Sequence, residues 1–80
     1  MNVEAWNQEQ TAEFLLETKD PELSEEVIAD LCHKGFDGQA LLGATESRLR
    51  RRFGVEGKSE RSAVMTVSER VRAILGIGSF

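Results

Sequence analysis

From Ser59 to Leu75 the apolar residues Val64, Val67, Val71, Ile74 and Leu75 recur at the spacing of one helix face, with Met65 at its edge. At about 100° per residue they form a single stripe, and the residues between them are charged, hydroxyl-bearing or small. Ser59 is read as the N-cap of this helix. A chain of 80 residues can build one core and no more, so the stripe must pack against whatever else the chain folds. Strand signals are weak. There is no tyrosine, and the one Asp-Gly pair, Asp37-Gly38, lacks alternating flanks. The predicted fold is therefore all-α.

Shorter helices precede the long one. Asn7 can cap a first helix, with Gln10 three positions on as its reciprocal partner, and Phe14 and Leu15 provide an apolar side. Lys19-Asp20-Pro21 breaks the chain. A second helix is predicted over about 22–33, where Leu23, Val27, Ile28 and Leu31 share one face, and Gly35 follows as a left-handed cap. Asp37-Gly38 opens a short turn-like helix ending near Leu42-Gly43. Thr45 caps a fourth helix, with Glu46 in its first turn, Leu49 and Phe53 inward, and Gly54 at its end. The predicted core is Trp6, Phe14, Leu15, Val27, Leu31, Phe36, Leu41, Leu42, Leu49, Phe53, Val64, Val71 and Leu75. Connections are short, as in a compact five-helix bundle with a long C-terminal helix.

The charge is unevenly distributed. The net charge is -4, yet residues 1–47 carry eleven acids and two bases, whereas residues 48–80 carry eight bases and three acids. Such a chain can fold with one negative and one positive surface. Basic residues are densest in RLRRRFGVEGKSER, residues 48–61. The single cysteine excludes an internal disulfide framework and fits a reducing compartment. The first residues lack the basic and apolar regions of a signal peptide, and no apolar run approaches a membrane span. An intracellular, cytoplasmic domain is expected.

Three motifs suggest chemistry, and none carries it. Gly57-Lys58-Ser59 resembles the end of a P-loop, but that loop needs glycine five positions earlier, where Arg52 stands. Cys32-His33 supplies the chain's one cysteine and one histidine, against the four ligands of structural zinc, and adjacent helical residues do not face each other. Glu25, Glu26 and Asp30 could pair as acid and base only inside a pocket that shifts their pKa values. No enzyme activity, metal, cofactor or small-molecule substrate is expected.

With the helices placed, the chain resembles the sterile alpha motif (SAM) domain. The resemblance is carried by Trp6, by Phe14-Leu15 and by Phe36-Asp37-Gly38-Gln39-Ala40-Leu41-Leu42. Thr45-Glu46, Leu49, Phe53-Gly54-Val55 and Arg61 leading into Val64-Met65 follow in order. It covers about residues 5–75, leaving 76–80 as a frayed tail or the start of a linker. The chain departs from the family at Ser59, where many relatives have glycine, and at Gly43-Ala44. The resemblance implies a protein-protein interaction module that assembles head to tail with itself or pairs with another SAM-like domain. It implies an acidic mid-loop surface, here Glu22, Glu25, Glu26, Asp30, Asp37 and Glu46. It implies a basic end-helix surface, here Lys58 and Arg61, extended by Arg50 and Arg52, with Val55 as an apolar contact. Oligomerisation, scaffolding or signalling would be its use. The alternative is RNA binding through the basic surface of residues 48–61.

Overall fold

The computed structural model describes residues 2–76. A 3-10 turn, Val3–Ala5, precedes five α-helices: α1 (Gln8–Glu17), α2 (Glu25–His33), α3 (Gly38–Leu42), α4 (Glu46–Arg51) and α5 (Lys58–Leu75). There is no strand among the described residues. No helix among them is long and apolar enough to cross a membrane. Most of the expected tail, 76–80, lies outside the described residues, and Gly76 is the left-handed cap of α5.

Local chemistry sets most helix ends. Asn7 accepts from the Gln10 N–H at 2.8 Å while the Gln10 side chain accepts from the Asn7 N–H at 2.9 Å, the predicted reciprocal box. Asp37 accepts from the Ala40 N–H at 2.9 Å and Thr45 from the Arg48 N–H at 3.1 Å. At the end of α2, Gly35 takes a φ of 83°, which lets the Phe36 N–H reach the Leu31 carbonyl and the Gly35 N–H reach that of Cys32. Two helix starts differ from expectation. Ser24, not a residue near 22, caps α2, because Asp20 holds the Glu22 N–H in a turn at 2.9 Å. Ser59 is not the cap of α5. Gly57 occupies that position, and Ser59 lies inside the first turn.

The core is formed where the five helices meet, with α4 adding Leu49 against α5. Leu15, Ile28, Leu31, Phe36, Leu41, Leu49, Val64 and Val71 are fully buried. Phe36 and Phe53 pack edge to face with ring centroids 5.0 Å apart. Trp6, Phe14, Val27, Leu42 and Leu75 were expected in this core, but they are only partly buried and pack against its edge. The Trp6 and Phe14 rings pack there at a tilt, with centroids 5.1 Å apart. Ile74 departs further from the stripe, at 66% exposure. Val3 is buried, so the 3-10 turn belongs to the fold although it precedes residue 5. Two buried hydroxyls are satisfied internally. Ser68 Oγ donates to the Leu41 carbonyl at 2.6 Å, tying α5 to α3, and Thr11 Oγ1 donates to the Asn7 carbonyl at 2.9 Å.

The 3-10 turn sits directly on α3. Gly38 is buried, its N–H donates to the Trp6 carbonyl at 3.1 Å, and a side chain there would overlap the Val3 backbone. The glycine is required by close approach of two backbone segments rather than by an unusual φ.

Candidate protein-binding interface

Helix α4 is short, and its composition leaves it little choice of orientation. Leu49 is its one buried residue, so Arg48, Arg50 and Arg51 all face solvent, as does Arg52 at its C-cap. The loop that follows turns back under α4. Val55 is buried, and its N–H donates to the Leu49 carbonyl at 2.8 Å. This corrects the expectation that Val55 contacts a partner, because its side chain is already spent on the core.

Arg61, in the first turns of α5, is half-buried rather than free. Its Nη1 donates to the Val55 carbonyl at 2.9 Å and to the Glu56 carbonyl at 2.7 Å. The guanidinium is thereby fixed beside the α4–α5 loop. Arg50, Arg51, Glu56 and Arg61 line one open hollow. Two of the expected basic residues, Arg50 and Arg61, thus come together, and the structure adds Arg51 and Glu56. The signal for Arg51 was the brevity of α4: with only Leu49 inward, its neighbours toward the loop must share one rim.

The other two expected basic residues lie elsewhere. Lys58 lines a groove between the α1–α2 loop and α5 with Asp20 and Glu22. Arg52 lines a second groove with Arg48, Asp37 and Gln39, and its guanidinium carbon lies 5.8 Å from the Phe53 ring centre. Acids and bases are therefore interleaved at two places, which corrects the expectation of two cleanly separated surfaces. Of the expected acids, Glu22 shares the groove with Lys58 and Asp37 that with Arg52. Asp37 is also half-buried, and its carboxylate is engaged as the cap of α3. Asp30 is engaged too. It pairs with Lys34 at 2.9 Å, and the same ammonium donates to the Phe53 carbonyl at 2.9 Å. This is the one ion pair among the described residues.

What remains is simpler than the expected surfaces. Glu25 and Glu26 stand exposed in the first turn of α2, where the helix dipole favours them, and Glu46 stands exposed in the first turn of α4. None of the three is ion-paired among the described residues, nor are Arg50, Arg51 and Arg61. Gly57-Lys58-Ser59 forms the start of α5 and follows a loop, not a strand. Among the described residues no three of His, Cys, Asp and Glu converge to hold a metal ion. Comparison with family models, with curated proteins and with solved structures found no match for this chain.

Proposed function

We propose that the chain is a SAM-like interaction module that associates head to tail, or with a second domain of the same kind, and performs no chemistry itself. The observation that carries this reading is the hollow lined by three arginines and one glutamate, while Glu25 and Glu26 in the first turn of α2 are in no ion pair among the described residues. A surface with such an excess of one sign attracts its complement, speeds encounter and fixes register. Patches on different elements form a heterologous contact, which repeats into rings or open filaments. The order of five helices with a long last one agrees with the SAM resemblance. RNA is the less favoured partner. Phe36 and Phe53 are buried and Trp6 packs on Phe14, so among the described residues no exposed aromatic platform accompanies the arginines.

The test uses exposed residues that hold nothing else in place. Arg51→Glu should block one end of the contact and Glu26→Lys the other. Each should weaken association about a hundredfold or more, because like charges brought together cost several kcal/mol. Mixed, the two variants should form a dimer through the one contact still native, read by sedimentation velocity. Arg61 and Asp30 are poorer choices, since the first holds the α4–α5 loop and the second anchors Lys34. Unchanged assembly in both variants would refute the assignment.

A further inference from the structure

We propose that the hollow of Arg50, Arg51 and Arg61 binds a phosphate dianion, inorganic or as a small monoester, and that occupancy blocks the head-to-tail contact. The second half of this statement rests on the function proposed above; the first half does not. Arg50, Arg51, Arg61 and Glu56 line the hollow, so its residues carry a balance of two positive charges. Phosphate carries about -1.5 to -2 at neutral pH and presents three strong acceptors.

The geometry supplies more than charge. Arg61 is pinned through Nη1 to two carbonyls, and among the described residues its Nε and Nη2 have no acceptor. Those two donors are one edge of the guanidinium fork, which takes an oxyanion side-on through two parallel bonds. Arg50 and Arg51 are exposed on the adjacent rim, and their side chains make no hydrogen bond or ion pair with a described residue. One fixed fork with two exposed, unbonded arginines on its rim suits a tetrahedral anion. A partner carboxylate would use the same donors, so the two compete. The groove beside Lys58 lacks this excess, because Asp20 and Glu22 line it as well.

The experiment separates binding from assembly by using Glu26→Lys, whose change lies on α2, outside the hollow. Inorganic phosphate and, in a second arm, O-phosphoserine are titrated at constant ionic strength against chloride, with arginine Nε–H and backbone resonances followed by NMR. Saturable shifts centred on Arg50, Arg51, Glu56 and Arg61 are expected, with affinity reduced about fivefold to tenfold by Arg51→Gln. Saturation by both probes assigns recognition to the dianion alone; saturation by O-phosphoserine only assigns it to the ester. Shifts equal to those of chloride, or binding only to vesicles of phosphatidylcholine with phosphatidylserine, would overturn the proposal. In the wild-type chain, phosphate should lower the sedimenting mass at fixed ionic strength. Saturation without that fall would overturn the competition while leaving the site. No saturation in a chain that assembles and is blocked by the charge reversals would overturn the site while leaving the assembly reading.

Discussion

Gly38→Ala is expected to destabilise the domain by about 3 kcal/mol or more, at or beyond the upper end of the usual cost of overpacking. A Cβ at this position would overlap the Val3 carbonyl oxygen and stand 2.8 Å from its carbonyl carbon and 3.1 Å from Trp6 Cβ. The obstacle is mainly backbone, so no rotamer change relieves it. Either the 3-10 turn lifts away, losing the Gly38 N–H bond to Trp6 and exposing Val3, or α3 shifts against α5. Trp6 is the only tryptophan in the chain, so its fluorescence reports the first outcome directly while urea unfolding gives the magnitude. Gly57→Ala is the control. The atoms in its way belong to the Glu60 carboxylate, the end of a flexible side chain, and the change should cost about 1 kcal/mol or less. Equal effects at the two glycines would contradict the role given to the contact between the 3-10 turn and α3.

Phe36→Ala should be at least as damaging, with an expected loss of about 3–5 kcal/mol. Phe36 is 1% exposed, follows the left-handed cap of α2, and meets Phe53 edge to face. Truncation removes that pair and leaves a cavity between the end of α2 and the end of α4. Domains of this size have about 3–5 kcal/mol from a single core, so the variant should be largely unfolded at room temperature. Circular dichroism at 222 nm reads this outcome. Phe36→Leu keeps most of the volume and loses the aromatic contact, so it should remain folded with a lower midpoint. A folded, cooperative Phe36→Ala would show that the aromatic pair is peripheral.

What could be read from the residues was local. The Asn7–Gln10 box, the Thr45 cap, the Gly35 turn and the short helix opened at Asp37-Gly38 each depend on residues within a few positions, and each lies where the pattern puts it. What could not be read was tertiary. Asp37-Gly38 marks the start of a short helix, but nothing near it in sequence shows that its glycine answers to a backbone 35 positions earlier. Val55, flanked by glycine and charge, reads as a surface contact, yet its N–H donates to the Leu49 carbonyl and its side chain is buried. Ile74 obeys the helical period but projects outward at 66% exposure.

The candidate surface follows the same division. The abundance of arginine in residues 48–52 was plain, and so was the acidity of α2. Which charges were already committed was not. Asp30 is committed to Lys34, Asp37 to the α3 cap and Arg61 to two carbonyls. Those bonds reduce two broad charged surfaces to one arginine hollow and a short acidic turn. They also explain why Arg51, absent from the expected set, is the better residue to reverse.

The most direct test of the central claim is sedimentation equilibrium of the wild-type chain at two concentrations and two salt levels. A contact between the arginine hollow and acids of another copy predicts a mass that rises above the 8.9 kDa monomer with concentration and falls as salt screens the charges. A chain that remains monomeric at the higher concentration and the lower salt would contradict self-association.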